Sequence, residues 1–299
     1  MAPRGRRHAI AGEPDLTRRA IPRSLIVWGT SLIVVMGAFL FFAYGIGWPT
    51  TPDQCVAHGC YCEHFELADV LGGATGVRQP VNTWSNLYAI GTSLFVAWIM
   101  ARDRRKTAAA NVISSADPIA DLYVFVVLFL GLGSMWMHGS IAREVSWIDG
   151  LSMYTFTVYL IFYTLNRALV RTHISAAARR RIFWIGYPLT SAAFAAVAAA
   201  GVDSVILIGI TVIVYFVLEF GFAGLIADRA ARRYWGIGIA AIATATLFWT
   251  LSQTGGPLCD PHSWFQPHGL LWHILAGVTA VMLYLYWRRE NAGSGWAAP

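Results

Sequence analysis

Long runs of apolar residues, separated by short polar links, recur along almost the whole chain. Each run approaches the ~20 residues that an α-helix needs to cross the hydrocarbon core of a bilayer. The pattern predicts eight such helices, over residues 24–44, 81–100, 118–137, 145–165, 182–200, 205–226, 234–251 and 269–287. We therefore expect an all-α integral membrane protein that folds as one bundle.

The basic residues orient this bundle. When the eight helices are threaded alternately through a membrane, 20 of the 22 lysine and arginine residues fall in the two tails and in every second link. Only Arg78 and Arg143 lie on the other side. Because basic residues concentrate on the cytoplasmic side, both termini are expected there, which requires an even number of spans. The preference for arginine over lysine favours a bacterial inner membrane, with an endomembrane as the alternative.

This threading divides the chain into a basic cytoplasmic tail (1–23), an amino-terminal transmembrane helix (24–47), an extracytoplasmic loop (48–80), a seven-helix domain (81–288) and a second cytoplasmic tail (289–299). The composition, with 57% hydrophobic and 13% charged residues, agrees with a membrane protein. Since the basic residues lie in short links, they leave no basic domain for a nucleic acid, and no such partner is expected. The sequence indicates no protein partner.

All four cysteines, Cys55, Cys60, Cys62 and Cys259, fall in links that are predicted to be extracytoplasmic. Oxidising compartments favour disulfides, so we expect one bridge from the 55–62 region to Cys259, with Cys62 as the candidate partner. A cysteine metal site is the alternative, although the spacing differs from the common CxxC zinc pattern.

Five polar residues lie at the predicted extracytoplasmic ends of the apolar runs. Ser134 and His138 end the third run, Asp149 begins the fourth, and His268 and His273 begin the eighth. An aspartate at membrane depth costs about 2.5–3.5 kcal/mol on insertion scales, so such groups persist mainly where they are paired, metal-bound or functional. We therefore expect the five residues to converge on one site.

The residue types in this set suit metal-dependent hydrolysis. Three neutral imidazoles leave the fourth position of a tetrahedral zinc ion open, as in catalytic rather than structural sites. A nearby carboxylate, Asp149, can take protons from water at such an ion and return them. The Ser134 hydroxyl can donate a hydrogen bond to a developing oxyanion.

Five segments of the chain resemble, in order and spacing, motifs of the alkaline ceramidases and of the wider group of seven-span membrane hydrolases that includes the adiponectin receptors. These segments are EHFE, RQPVNTWSNL, GSMWMH, WIDGLSM and QPHGLLWHILAG, within about residues 60–288. In that family a serine precedes the first zinc histidine by four residues and an aspartate follows it by eleven, as Ser134, His138 and Asp149 do here. The resemblance implies a seven-helix bundle that binds zinc through His138, His268 and His273. It also implies that a lipid amide, such as an N-acyl sphingoid base, enters between helices and is cleaved to a fatty acid and an amine.

The chain departs from the family at the second histidine pair and at its amino terminus. His268 and His273 have four residues between them rather than three, which puts them about 140° apart on a regular helix. A π-bulge would bring them together, as would a position of His268 in the turn after Pro267, and His262 is the alternative third ligand. The additional amino-terminal helix makes eight spans where the family has seven.

Animal members of the family resemble calcium-regulated enzymes, which makes Glu63 a candidate calcium ligand. Calcium needs about six to eight oxygen ligands, and here Gln79 replaces a carboxylate of the family, so a complete site is not expected. The family-like run with Asn82, Ser85 and Asn86 is interpreted as interhelical hydrogen bonding.

Two other functions are compatible with the pattern. A lipid-binding receptor or sensor would use the zinc ion structurally, but structural sites are usually closed by a fourth protein ligand. A transporter or channel would use the membrane histidines and aspartate as a proton path, but these residues lie at one end and do not follow the length of the bundle.

Overall fold

The computed structural model describes residues 21–105, 111–170, 172–200, 202, 204–223 and 229–290, which form ten α-helices and no β-strand. The helices are α1 (Arg23–Leu40), α2 (Leu67–Leu71), α3 (Pro80–Ser85), α4 (Tyr88–Arg104), α5 (Pro118–Ser140), α6 (Arg143–Leu169), α7 (Ala176–Ala199), α8 (Ser204–Leu218), α9 (Arg229–Leu251) and α10 (His273–Arg288). Turns of π-helix extend α1 over Phe41–Ile46 and α8 over Glu219–Ala223, and a third, His268–Trp272, leads into α10.

Seven helical segments are long and apolar enough to cross a membrane, which indicates a multi-pass membrane protein. They are Arg23–Ile46, Pro80–Arg104, Pro118–Ser140, Arg143–Leu169, Ala176–Ala199, Arg229–Leu251 and His268–Arg288. The remaining predicted span corresponds to α8, whose apolar part, Val205–Gly221, is shorter than these seven. The all-helical prediction is thus confirmed for the described residues. Most of each predicted tail, at 1–20 and 291–299, lies outside them.

Helix α5 is the centre of the bundle. Its start is fixed by Asp117, whose carboxylate accepts a hydrogen bond from the Ile119 N–H, and by Pro118, whose ring suits the first turn. In the most apolar stretch of α5, 78% of the residues are buried, whereas in that of α1 only 6% are buried. Helices α1, α4 and α6 pack directly against α5. This packing fixes the position of the residues in the last turn of α5, including His138.

The amino-terminal helix α1 is attached to the bundle through specific contacts with α4 and the end of α5. Ser24 Oγ donates to the Ala97 carbonyl at 3.1 Å, and Trp28 Nε1 donates to Ser93 Oγ at 3.0 Å. Phe39, near the carboxyl end of α1, packs edge-on against Trp136 of α5, with ring centroids 5.9 Å apart. Helix α1 is therefore packed into the fold at both of its ends.

Two disulfides tie the loops at the end of the bundle where α5 ends. Cys62 is bonded to Cys259, and Cys55 is bonded to Cys60. From the sequence one bridge is expected and the structure has two, because residues 55 and 60 flank a tight turn. All four cysteines are used in these bonds, so the cysteine metal site considered from the sequence is wrong.

At the other end of the bundle, the ends of α6, α8 and α10 meet in a buried ionic cluster. Arg167 donates to Glu219 through Nη1 at 2.6 Å and to Glu290 through Nε at 2.7 Å. The Arg167 side chain is 1% exposed, and the carboxylates are 3% and 5% exposed. The Tyr286 hydroxyl contacts both Arg167 and Glu219. Ionisable groups are thus buried at both ends of the bundle, whereas the sequence analysis points only to the end with the histidines and Asp149.

Replacing Arg167 by methionine is expected to lower the free energy of unfolding by about 3–5 kcal/mol, because two buried carboxylates would lose their cationic partner. Arg180→Met is the matched control, since the Arg180 side chain is 45% exposed in its ion pair with Asp117. The control should cost less than about 1 kcal/mol. Unfolding of the purified variants in detergent measures both effects, and equal losses would contradict this account of the cluster.

Candidate metal centre

Three histidines face one another at the end of the bundle where α5 ends, which we call the histidine end. His138 lies in the last turn of α5, His268 opens the π-helical turn, and His273 begins α10. All three side chains are buried. Their ligand nitrogens lie within 4.8 Å of one another. The structure therefore brings the three sequence-predicted ligands into one group.

The closest pair of nitrogens has the spacing of two ligands on one zinc ion. His138 Nε2 and His268 Nε2 are 3.2 Å apart. Two nitrogens at about 2.0–2.1 Å from a tetrahedral zinc ion would be about 3.3 Å apart, so little movement is needed. The third ring, that of His273, lies 5.0 Å from His268 and 5.8 Å from His138 between ring centroids.

The π-helical turn explains how His268 and His273 reach the same point. On a regular helix these residues would diverge, but the wider turn over His268–Trp272 absorbs the additional residue. The sequence leaves two geometries open, a π-bulge and a position of His268 in the turn after Pro267. The structure contains the π-bulge. Gly269 lets this turn lie directly on α3, because a Cβ at that position would be 2.8 Å from Asn82 Oδ1.

Gln79 orients the ring of His138. The side-chain nitrogen of Gln79 donates to the carbonyl oxygens of Cys60 and Glu63, which turns Gln79 Oε1 towards the histidine. That oxygen lies 2.7 Å from His138 Nδ1. Because an amide oxygen can only accept, the proton of His138 lies on Nδ1 and the lone pair on Nε2. The sequence points to Gln79 only as a neighbour of the candidate calcium site. A single polar residue in a loop has no periodicity that would mark its role in orienting a histidine.

Ser85 orients His273 in the same way. The Ser85 hydroxyl donates to the Asn82 carbonyl at 3.0 Å, and its oxygen lies 2.8 Å from His273 Nδ1. Since the single hydroxyl hydrogen is used, Ser85 accepts from Nδ1 and the lone pair of His273 lies on Nε2. The Ser85 contact joins α3 to α10, as expected from the interpretation of this run as interhelical hydrogen bonding.

The resulting arrangement suits a cation. His273 Nε2 is buried and has no hydrogen-bond partner among the described residues. The Nε2 atoms of His138 and His273 both carry lone pairs, and that of His138 lies within hydrogen-bonding distance of His268 Nε2. A buried nitrogen without a partner is costly, and a divalent metal ion would satisfy His273 Nε2 while replacing the contact between the other two rings. The donor set, three imidazoles with two of them oriented by neighbouring side chains, fits zinc.

Tyr61 covers the histidines from the loop between the two disulfides. Its ring stacks on that of His268, with centroids 4.5 Å apart and planes at 26°. Tyr61 and Cys62 adopt positive φ angles of 56° and 62°, a region that non-glycine residues rarely occupy. Such a backbone conformation is costly, so it persists because the surrounding disulfides and hydrogen bonds hold it.

Ser134 and Asp149 lie beside the histidines at the polar end of a cavity of about 180 Å³, here called the inner cavity. His273 lines the same polar end. The Ser134 hydroxyl is within hydrogen-bonding reach of the half-buried Asp149 carboxylate. The rest of the cavity is mostly apolar and includes Leu160 and Leu283. All five residues of the predicted constellation therefore meet at the histidine end.

Two further candidates lie outside the histidine group. Both oxygens of Glu63 accept backbone N–H groups at the start of α3, from Val81 at 2.7 Å and Asn82 at 2.8 Å. Burial raises the pKa of Glu63, and these two hydrogen bonds oppose that shift. Glu63 therefore caps α3, and a calcium ion at Glu63 stays a prediction. His262, the alternative third ligand, packs against His64 on an exposed loop.

No protein-family model matches the chain, and no curated protein matches it.

Replacing Gln79 by leucine is expected to weaken zinc binding by about 10- to 100-fold, because His138 would lose the acceptor that fixes its tautomer. Competition with a chromophoric chelator on the purified protein measures this change.

Gln253→Leu is the matched control for Gln79→Leu. The side-chain nitrogen of Gln253, which lies just after α9, donates to the Trp249 carbonyl at 2.8 Å. Zinc affinity should be unchanged in this variant. If Gln79→Leu bound zinc as tightly as the control, the orienting role of Gln79 would be wrong.

Proposed function

We propose that the protein is a zinc-dependent intramembrane amide hydrolase of the ceramidase type, which cleaves an N-acyl sphingoid base or a related lipid amide to a fatty acid and an amine. The observation that supports this proposal most directly is the convergence of three buried imidazoles with Asp149 and Ser134 at the polar end of an apolar cavity. This combination offers a metal site, a proton carrier and space for a hydrocarbon chain in one place.

The site residues have separate tasks in this reaction. His138, His268 and His273 would hold the zinc ion, which when bound lowers the pKa of water and polarises the amide carbonyl. Asp149 takes a proton from the attacking water and returns it to the amine nitrogen as the carbon–nitrogen bond breaks. Once protonated, Asp149 can donate to Ser134, which frees the Ser134 hydrogen for the developing oxyanion.

The inner cavity would hold the acyl chain. Its apolar lining comes from α5, α6, α8, α9 and α10, and it includes Phe156 and Val212. A hydrocarbon chain placed there would lie along the bundle with its carbonyl end at Ser134 and Asp149. Burial of each methylene group contributes about 0.8 kcal/mol, so the lining favours a hydrocarbon chain over a polar group.

We further propose eight spans, with both termini in the cytoplasm and the histidine end facing the extracytoplasmic side. The ionic contact between Arg167 and Glu219 supports α8 as the eighth span, because it holds the end of α8 beside the end of α6. Glu290, just after α10, joins the same cluster. An eight-span threading would place the ends of these three alternate helices together on the side opposite the histidine end. The two disulfides at the histidine end agree with an oxidising compartment on that side.

A lipid receptor or sensor with a structural zinc ion is the second candidate function. The mostly apolar inner cavity supports it, since such a cavity binds a lipid whether or not the lipid is cleaved. Asp149 separates the two proposals, because a receptor has no need of a proton carrier beside the metal.

Removal of zinc by a chelator should abolish amide hydrolysis by the purified protein, and added zinc should restore it. Release of fatty acid from a ceramide in mixed micelles measures the rate. Cleavage that continues at the original rate after metal analysis shows no remaining zinc would exclude the metal mechanism.

Asp149→Asn should lower kcat by about 10²- to 10⁴-fold while the zinc content stays the same, because only proton transfer is lost. Glu66→Gln is the control, since the Glu66 side chain is 72% exposed and lies in an outer loop. The control should keep the activity of the wild type. An active Asp149→Asn variant would favour the receptor instead.

A further inference from the structure

A second cavity, of about 530 Å³, adjoins the inner cavity at the histidine end and is here called the outer cavity. Asp149 and Met153 line both cavities. Asp149 thus lies on the wall between an apolar space and a more polar one. The two cavities therefore meet at the polar end of the inner cavity, next to Asp149.

The segment after α1 supplies a second carboxylate, Asp53, to the outer cavity. This segment is fixed against the start of α6 by two backbone hydrogen bonds, from Asp53 N–H to the Ile141 carbonyl at 3.0 Å and from Arg143 N–H to the Thr51 carbonyl at 2.9 Å. Oδ1 of Asp53 accepts from Cys55 N–H at 2.9 Å, which fixes the side chain. The additional amino-terminal helix therefore positions a charged group beside the site.

The outer cavity combines anionic and aromatic surfaces. The carboxylates of Asp53 and Asp149 are close enough to interact electrostatically. The rings of Tyr61, Trp147 and Tyr154 line the same space. The one basic residue in the lining, Arg143, is exposed to solvent. Carboxylates and aromatic faces together are the groups that bind alkylammonium ions, through charge-assisted hydrogen bonds and cation–π contacts.

We propose that the outer cavity binds the primary ammonium group of a long-chain amine, the second product of the amide hydrolysis proposed above, on which this inference rests. Hydrolysis adds water across the carbon–nitrogen bond: hydroxyl goes to the acyl carbon and hydrogen goes to the nitrogen. The carboxylic acid then loses a proton and the amine gains one, which gives a carboxylate and an ammonium ion. The amide substrate is neutral, so the positive charge that the cavity recognises exists only after cleavage.

The two carboxylates attract the ammonium product and not the acyl chain. The acyl product therefore stays in the apolar inner cavity, while the ammonium group moves past Asp149 towards Asp53. A long-chain amine should therefore bind the protein and inhibit hydrolysis, and a neutral alcohol with the same chain should bind much more weakly.

Calorimetric titration of the zinc-loaded protein in a non-ionic detergent tests the proposal, with dodecylamine as the probe and dodecanol as the neutral comparison. Asp53→Asn should weaken amine binding by at least about fivefold and leave alcohol binding unchanged, because the charge is removed. Asparagine keeps an oxygen that accepts from the Cys55 N–H, so the local fold is preserved. Equal binding of amine by wild type and Asp53→Asn would overturn the proposal, as would equal binding of amine and alcohol by the wild type.

Asp260→Asn is the matched control. Its carboxylate also accepts from a backbone N–H two residues later, that of His262 at 3.2 Å, but it does not line the outer cavity. Amine binding should be unchanged in this variant, and a loss as large as that of Asp53→Asn would contradict a specific site.

The titration needs no turnover, so the two proposals can fail separately. Amine binding that depends on Asp53 without any amide cleavage would support the ammonium site and contradict the hydrolase. Amide cleavage with amine binding that is independent of Asp53 would contradict the ammonium site alone.

Discussion

The structure depends on one electrostatic constraint: three imidazole side chains are buried together in an apolar bundle that does not offer a partner to every ring nitrogen. His138 Nε2 and His268 Nε2 are 3.2 Å apart, and His273 Nε2 has no hydrogen-bond partner among the described residues. Without a cation, the Nε2 atoms of His138 and His268 can share one proton in a hydrogen bond, but His273 Nε2 loses the hydrogen bond that it would make in water. A divalent cation would instead be bound by all three rings. The group could therefore hold a metal ion.

Most of the histidine end serves to hold these rings in place. Gln79, just before α3, and Ser85, at the end of α3, fix two tautomers. The π-helical turn brings His268 to the group, and the Cys62–Cys259 bond joins the loops on either side. These parts are distant in sequence, so the site forms only after the bundle has closed. The Arg167 cluster closes the opposite end, and the lining between the two ends is mostly apolar.

The helices could be predicted from the sequence, because a chain segment that crosses a membrane must satisfy its own backbone hydrogen bonds, and a helix does so. The convergence of His138, Asp149 and His273 could be predicted as well, since the threading puts their helix ends on one side. The π-bulge was one of two geometries that the five-residue spacing left open. Helix α8 changes to π-helical geometry over Glu219–Ala223, and residues 224–226 of the predicted span lie outside the described residues. Glu219 is an ionisable residue in an apolar run, which could have signalled the buried cluster.

Other parts of the site depend on loop geometry and leave no such pattern. The role of Gln79 follows from where the Cys60 and Glu63 carbonyls lie, and these positions are set by a loop with two left-handed residues and two disulfides. The position of Asp53 in the outer cavity likewise follows from the path of the chain after α1. Both residues are ordinary polar loop positions in the sequence, and only the folded loop gives them a function.

X-ray absorption at the zinc edge of the purified wild-type protein tests the central claim most directly. We expect one zinc ion per chain with three imidazole nitrogens at about 2.0–2.1 Å and one lighter, exchangeable ligand. A protein that contains no tightly bound metal, or a zinc ion whose ligands include sulfur or fewer than three imidazoles, would contradict the account.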